Sequence, residues 1–364
     1  VRVADRHAFH TLIDARSPAE YALDHIPGAI NCPVLDDDER RIVGTIYKQQ
    51  GAFEARRVGG AMVAANLARH LRTQFADQPA SWKPLIYCWR GGMRSGSMVT
   101  WLRLVGWDAQ QLAGGYKSWR RHVIDRLAEL APQLPLRVIC GPTGSAKTRV
   151  LQALAARGAQ VLDLEACARH RGSVLGAWPG VAQPSQTAFE TALLHALEPL
   201  DLQRTIYVEA ESSKIGRVAV PQPLVQRLRA SSCIEVAASL PARLDFLLRD
   251  YANLGDNPDL LAQQLMPFAQ EGCLIAGMET ASFLLARIGL LSGYRATIHW
   301  EEMARFSEAF DDVIVSSNLF EIDRQRASCA GGAATLDFML TLIGQQHGNE
   351  FAAEISERFS LERI

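Results

Sequence analysis

The chain has almost no net charge: 38 Lys and Arg against 39 Asp and Glu leave −1 over 364 residues. Without a global basic field the charge balance announces no nucleic-acid partner, so any RNA site has to be a local patch. No apolar run reaches the roughly 20 residues that span a bilayer, so a membrane-spanning helix is not expected. The seven cysteines (Cys32, Cys88, Cys140, Cys167, Cys233, Cys273, Cys329) contain no Cys-x-x-Cys pair and are odd in number. That argues against a disulfide framework and a zinc site, and fits a reducing cytoplasm. The opening Val-Arg-Val-Ala-Asp-Arg-His reads as too charged for a signal peptide. What remains is ordinary: 48% hydrophobic and 21% charged residues describe a soluble globular chain of about two or three domains.

Against that background Leu85 to Ser97 stands out, reading Leu-Ile-Tyr-Cys88-Trp-Arg90-Gly91-Gly92-Met-Arg94-Ser95-Gly-Ser97. An apolar run ending at a cysteine, two glycines, two arginines and then a helix-compatible stretch describe a strand, a tight loop and a helix N-terminus. Loop N–H groups and the positive end of the helix dipole then converge on one point, where Arg90 or Arg94 can add charge. A thiol in such a pocket is expected to ionise easily, which makes Cys88 a candidate nucleophile or chalcogen carrier. The competing reading, a structural cysteine ending a buried strand, is weakened by the glycines and arginines that follow.

Earlier in the chain, Thr11-Leu-Ile-Asp14-Ala-Arg16 is a short strand entering a loop, and His25-Ile-Pro27-Gly28-Ala-Ile-Asn31 is a turn into another strand. Asp14 and Arg16 are read as a structural ion pair. Taken in order with the cysteine loop and with Leu112-Ala-Gly114-Gly115-Tyr116-Lys-Ser-Trp119, these pieces resemble the rhodanese domain over residues 1–128. Five residues separate Cys88 from Arg94, one more than the usual sulfurtransferase loop carries. The wider loop can cradle a tetrahedral anion, and Cys-x5-Arg also occurs in cysteine phosphatases. The loop alone leaves chalcogen transfer and phosphate-ester hydrolysis both open.

Beyond a proline-punctuated linker at 129–135, Leu136-Arg-Val-Ile-Cys140 is a buried-strand run leading into Gly141-Pro142-Thr143-Gly144-Ser145-Ala146-Lys147-Thr148 and a helix. This is a phosphate-binding loop in its strand-to-helix setting. Its N–H groups, with Gly141, Thr143, Gly144 and Ser145 in the turn, wrap a diphosphate; Lys147 reaches the outer oxygens and the Thr148 hydroxyl can hold Mg²⁺. Ala146 stands where the motif wants glycine, tolerable if its backbone stays right-handed. Two further strands end in acids, Gln160-Val-Leu-Asp163-Leu-Glu165 and Thr205-Ile-Tyr-Val208-Glu209-Ala-Glu211, where such a fold places metal- or substrate-side carboxylates. Arg169, His170 and Arg171 form a polar cluster that is either part of that site or a solvated basic face. A fourth strand begins at Cys233. Strands alternating with helices predict an α/β fold with a parallel sheet, the P-loop domain running over 136–268.

A rhodanese domain with Cys-x-Arg-Gly-Gly-x-Arg-Ser, followed by a P-loop domain with Asp-Leu-Glu, Ala-Arg-His-Arg-Gly-Ser and Glu-x-Glu-Ser, resembles the bacterial tRNA 2-selenouridine synthase family. Asp36-Asp-Asp-Glu39-Arg40, Val43-Gly44-Thr45 and Tyr47-Lys48-Gln49-Gln50-Gly51 read as that family's sequence as well. The resemblance implies a transferase that replaces sulfur by selenium in the wobble 2-thiouridine of tRNAs for lysine, glutamate and glutamine. Selenophosphate, from its supplying enzyme, is the implied selenium donor, and geranyl diphosphate makes an S-geranyl intermediate. It implies a cytoplasmic protein with tRNA as partner and neither membrane nor DNA. On this reading Cys88, Arg90 and Arg94, with the Gly91-Gly92 turn, serve selenation, and Lys147 and Thr148 serve geranylation. Rivals are a plain sulfurtransferase or cysteine phosphatase with an accessory P-loop, and a non-catalytic ligand-sensing regulator.

Residues 269–364 break the pattern. Gly277-Met-Glu279-Thr-Ala-Ser-Phe-Leu-Leu, Arg295-Ala-Thr-Ile-His299-Trp300 and Ser328-Cys329-Ala-Gly331-Gly332 resemble part of a PfpI-like domain of AraC-type transcriptional regulators. Glu279 stands where enzymes of that superfamily carry a cysteine, so no catalysis is expected there. A fusion or assembly artefact near residue 270, leaving uncovered edges and a protease-sensitive segment at 253–275, is the reading favoured over a divergent tail.

Overall fold

Short apolar runs become strands buried on both faces, as parallel sheets require. The computed structural model describes residues 1–173, 175–178, 180–252 and 257–361. Within it the chain divides into two compact units, Val1–Ser239 and Leu240–Ile364. The first unit begins with β1 (Thr11–Asp14), β2 (Ile30–Asn31), β3 (Pro84–Tyr87) and β4 (Gln110–Gln111), a parallel sheet of order β2-β1-β3-β4. All four residues of β3 are buried, and the strand delivers its chain end into the cysteine loop. The helix Asp37–Gln50 is fixed at its start by reciprocal bonds, Glu39 N–H to the Asp36 carboxylate at 2.8 Å and Asp36 N–H to Glu39 at 2.9 Å.

The same unit continues with β5 (Leu136–Cys140), β6 (Gln160–Leu162), β7 (Ile206–Glu209), a hairpin of β8 (Lys214–Ile215) and β9 (Val218–Ala219), and β10 (Ser232–Glu235). Its parallel sheet has the order β10-β5-β7-β6. The α/β class and the two expected sheets are therefore present, and β5 has the bounds read from the sequence. Sequence reading carried the second strand of this sheet too far: β6 stops at Leu162, and Asp163 instead caps a short helix, Leu164–Ala168.

The segment 129–135, read as a linker, is packed in place. The helix Gly115–Leu130 runs straight into a 3-10 turn, Ala131–Gln133, and Leu134 is fully buried with its carbonyl accepting from Arg227 Nε at 2.6 Å. Tyr116, Trp119, Val123, Leu127 and Leu130 recur at helical spacing on that helix and join one apolar cluster with Phe189, Leu193, Leu194 and Leu197. Polar contacts follow the same seam: Arg120 pairs with Glu190, and Thr191 Oγ1 donates to Asp24 at 3.0 Å.

The second unit holds β11 (Ile275–Met278), β12 (Arg295–Ala296), β13 (Ile314–Val315), β14 (Phe320–Asp323) and β15 (Arg326–Cys329). Three strands pair as β11-β15-β14, the last antiparallel, and β12 pairs with β13 in parallel. Its apolar residues gather in two small clusters, one around Leu285, Leu291, Ile298 and Phe306 and one around Cys329 and Phe338. Glu279 forms a left-handed elbow (φ 54°) between β11 and the helix Ala281–Arg287. Of the segment 253–275, residues 253–256 lie outside the described residues, and Pro258–Gln270 is helical. Among the described residues no helix is long and apolar enough to cross a membrane.

Candidate functional site

Two polar sites lie at the carboxyl ends of strands in the first unit. At the first, Cys88 leaves β3 and Gly92 caps the helix Met93–Val105. Cys88 is only 3% exposed, yet its sulfur faces polar donors: Gly92 N–H at 3.3 Å and Ser95 Oγ at 3.0 Å. Gln111 Nε2 supports both neighbours, donating to Ser95 Oγ at 2.8 Å and to the Gly92 carbonyl at 3.0 Å. Ser95 entered the sequence reading only as the last residue of the motif, with no role given to it, and Gln111 was not singled out. Ser95 sits one turn into the helix and was legible in principle, whereas Gln111 arrives only through the pairing of β3 with β4.

A second segment clamps the loop. Tyr116 N–H donates to the Cys88 carbonyl at 2.8 Å and Lys117 N–H to that of Trp89 at 3.0 Å. That approach requires Gly115: a Cβ there would lie 2.2 Å from the Cys88 oxygen, and its φ is +59°. Gly91 turns with φ +67°. Arg90 is exposed and makes no ion pair among the described residues.

Arg94 does not join the loop. Its guanidinium grips Glu20, Nη1 to Oε2 at 2.6 Å and Nη2 to Oε1 at 3.4 Å, and Arg40 reaches the same carboxylate at 3.0 Å. Burial pushes the Glu20 carboxyl up, but the Arg94 hydrogen bond and the charges of Arg94 and Arg40 outweigh it and hold the group below its usual range. Asp14 and Arg16 form the expected structural ion pair, fully buried with Nη2 to Oδ2 at 2.6 Å.

At the second site β5 opens into the phosphate-binding loop. Gly141 (φ +153°) passes close beneath Val236, where a Cβ would come within 2.6 Å of its carbonyl. Gly144 turns with φ +83°, while the Ser145 hydroxyl is buried without a hydrogen-bond partner. Thr143 lies in the same turn. Ala146 departs from the sequence expectation: its backbone is left-handed, φ 59° and ψ 36°, because the turn into the helix Lys147–Ala156 demands it. Lys147 Nζ donates back across the loop to the Gly141 carbonyl at 3.1 Å.

Facing the loop, Glu165, Glu209 and Glu211 bring carboxylate oxygens within 4.8 Å of one another. Thr148 Oγ1 donates to Glu165 at 3.4 Å, and Glu209 Oε1 is buried without a hydrogen-bond partner. Burial, then repulsion from Glu209, Glu211 and Asp163, pushes Glu165 up to about 8. Burial and Glu209 push Glu211 up to about 7 despite Lys147, and burial raises Glu209 too. An all-oxygen donor set with an orphaned buried oxygen suits a hard divalent cation such as Mg²⁺. Asp163 spends its carboxylate on the Ala166 N–H at 2.7 Å.

The Arg-His-Arg trio divides. Arg169 closes its helix in a left-handed conformation, and Arg171 stacks on Trp178 at 4.1 Å. His170 is buried, which lowers its pKa, with Nδ1 facing Gly172 N–H at 3.2 Å. Gly172 was missed from the sequence: a Cβ there would fall 2.8 Å from both the Glu165 and the Glu211 carboxylates.

Comparison with known proteins covers both of these regions. Residues 3–122 match the family model of the rhodanese-like domain, and residues 134–264 match that of the tRNA 2-selenouridine synthase AAA domain. The chain thus carries a rhodanese-like domain followed by the AAA domain of tRNA 2-selenouridine synthases. A tRNA 2-selenouridine synthase of Nitrosomonas europaea is 40% identical over 247 residues, covering 66% of this chain and 63% of that protein. One of Bdellovibrio bacteriovorus is 40% identical over 254 residues, covering 66% and 64%. The chain thus spans just under two thirds of the length of these curated relatives. Among solved structures, an AraC family transcriptional regulator from Pseudomonas putida is 14% identical over 62% of this chain and 99% of that one. Its TM-score of 0.26 is too low to assign a fold.

Proposed function

We propose that this protein is a tRNA-modifying transferase that exchanges sulfur for selenium at a thiolated wobble uridine. One observation carries the reading: a thiol ringed by donors and a lysine-bearing phosphate loop occupy one compact unit, each at the carboxyl end of a strand. The uridine sulfur, a soft nucleophile, attacks the allylic carbon of geranyl diphosphate as the carbon–oxygen bond to diphosphate breaks. The loop N–H groups and Lys147 stabilise the departing diphosphate, so no nucleotide hydrolysis is needed. A Mg²⁺ ion held by Thr148, Glu209 and its neighbouring carboxylates would neutralise part of that charge. Alkylation turns sulfur into a leaving group: the selenium of selenophosphate, presented at the Cys88 pocket, bonds to C2 as the carbon–sulfur bond breaks and geranyl thiol departs, and water then cleaves the selenium–phosphorus bond, releasing phosphate and leaving the selenated uridine.

In this division Cys88, Gly91, Gly92 and Arg90 serve selenation, with Arg94 able to contribute only on leaving Glu20. Gly141, Thr143, Gly144, Ser145, Lys147 and Thr148 serve geranylation. The substrates are tRNAs for lysine, glutamate and glutamine, with a selenophosphate-supplying enzyme as partner and a cytoplasmic setting suggested by the free thiols. The unit Leu240–Ile364, including Glu279, is given no catalytic part.

The test is mass analysis of nucleosides from 2-thiouridine tRNA incubated with protein, selenophosphate and geranyl diphosphate. Lys147→Ala should abolish S-geranyl product, and Cys88→Ala should let it accumulate. Loss of both steps together in either variant rejects the division of labour.

A further inference from the structure

Trp89, next to the thiol-bearing residue, keeps 43% of its surface exposed. It stacks on Tyr116 with ring centroids 5.5 Å apart and planes 29° from parallel. Tyr116 in turn is buried and pinned, its hydroxyl donating to Asp24 at 2.6 Å and the Arg16 guanidinium lying 3.9 Å from its ring centroid. The backbone is tied as firmly, because the carbonyls of Cys88 and Trp89 accept from consecutive N–H groups, Tyr116 and Lys117. One aromatic face is thus braced from within and the rest of the ring left open, with exposed Arg90 and Met93 beside it.

A rigid, half-exposed indole whose Cα is about 3.8 Å from that of the reacting residue is a surface for a flat ligand. Single-stranded RNA offers such ligands when its bases splay out of the stack, and aromatic side chains hold them without regard to sequence. We propose that Trp89 is the stacking platform on which a splayed anticodon-loop base of the tRNA rests while the thiolated uridine is presented to Cys88, with Arg90 taking an adjacent phosphate. This rests on the tRNA reading given above.

The experiment uses the full-length protein and a synthetic anticodon stem-loop carrying 2-thiouridine, with binding read by fluorescence anisotropy. Trp89→Ala should weaken binding by about 10-fold, the size of one lost base–aromatic stack, whereas Trp89→Phe should stay within about 3-fold of the parent. Arg90→Ala should lower the slope of log affinity against log salt by about one. The rate of Cys88 alkylation by iodoacetamide should stay at the parent value in Trp89→Ala, showing an intact loop. The stacking role is overturned if Trp89→Ala binds the RNA as the parent does while the parent makes selenated product. It is equally overturned if Phe fails as badly as Ala and Cys88 alkylation changes with it, which marks a packing residue. A loss confined to S-geranylated RNA would reassign Trp89 to the geranyl chain. Absence of any RNA binding or product with the parent protein overturns the tRNA reading itself, and the platform with it.

Discussion

Replacing Ala146 with glycine removes a methyl group from a position where this phosphate loop departs from glycine and the backbone is left-handed, φ 59° and ψ 36°. An L-residue held there costs about 1–2 kcal/mol, because its Cβ crowds the following carbonyl. Glycine relieves that strain but gives the unfolded chain more freedom, which takes back about 0.4–1 kcal/mol. The difference favours the variant by about 0.5–1 kcal/mol, which for a cooperative unit of this size is a rise in Tm of about 2 °C. Because the loop already has the conformation that glycine prefers, affinity for diphosphate should move by less than about 3-fold; the alanine costs stability rather than binding. Ala146→Val, with a branched side chain forced into the same conformation, should lose about 2 kcal/mol or more. Differential scanning calorimetry and diphosphate titration read both effects. A Tm that falls on Ala146→Gly would refute the reasoning, since the strain relieved would then be smaller than the freedom that glycine gives the unfolded chain.

Gly115→Ala places a Cβ 2.2 Å from the Cys88 carbonyl and 2.5 Å from the Gly91 nitrogen at φ +59°; it should cost about 2–4 kcal/mol and speed Cys88 alkylation as the clamp opens, measured by chemical denaturation and thiol labelling. Glu20→Gln removes the carboxylate shared by Arg94 and Arg40 and should cost about 1–2 kcal/mol. The Glu20 carboxyl is held below its ordinary 4.5. Its stabilisation is therefore present above about pH 4.5 and lost as pH falls through the folded value, and the variant's stability should show less of that acid-side loss. Glu165 has the opposite sign. With a folded value of about 8 against an ordinary 4.5, it keeps its proton in the folded chain where the unfolded chain has lost it, so metal-free stability should fall as pH rises from about 4.5 to 8. Glu165→Gln should flatten that fall and reduce Mg²⁺-dependent stabilisation, read as Tm against pH with and without the ion; an unchanged slope would exclude the carboxylate cluster as its origin.

Both sites were legible because each is a local device. A strand, a glycine turn and a helix start fit within about a dozen residues, and the chemistry of Cys88 or Lys147 follows from the loop that carries it. What escaped depends on residues brought from elsewhere. Arg94 looks free beside the loop in the sequence, but Glu20 lies 74 residues earlier and reaches it only after the helix Pro18–Leu23 is in place. Gln111 comes to Ser95 through strand pairing, and Gly172 earns notice only when two acids from distant segments, Glu165 and Glu211, meet beside it. The three adjacent residues Arg169, His170 and Arg171 read as one cluster, yet a left-handed helix end turns them to different surroundings. Ala146 shows the converse limit: composition marks the deviation from glycine but not the sign of φ.

The seam within the first unit bears on how two pockets could act on one nucleobase. Asp24 is a buried carboxylate that accepts from Tyr116 in the segment clamping the cysteine loop and from Thr191 in a helix packed beside the P-loop sheet. Opening the seam would break the Thr191 bond to Asp24 and the Arg120–Glu190 pair, besides exposing the shared apolar cluster. Leu134 at the join is itself part of that cluster. A hinge at residues 131–135 is therefore a poor way to bring Lys147 and Cys88 in turn to a stationary substrate. If both steps occur on one tRNA, it is the splayed base and its loop that must travel between fixed pockets, and the exposed indole beside Cys88 is where that travel would end.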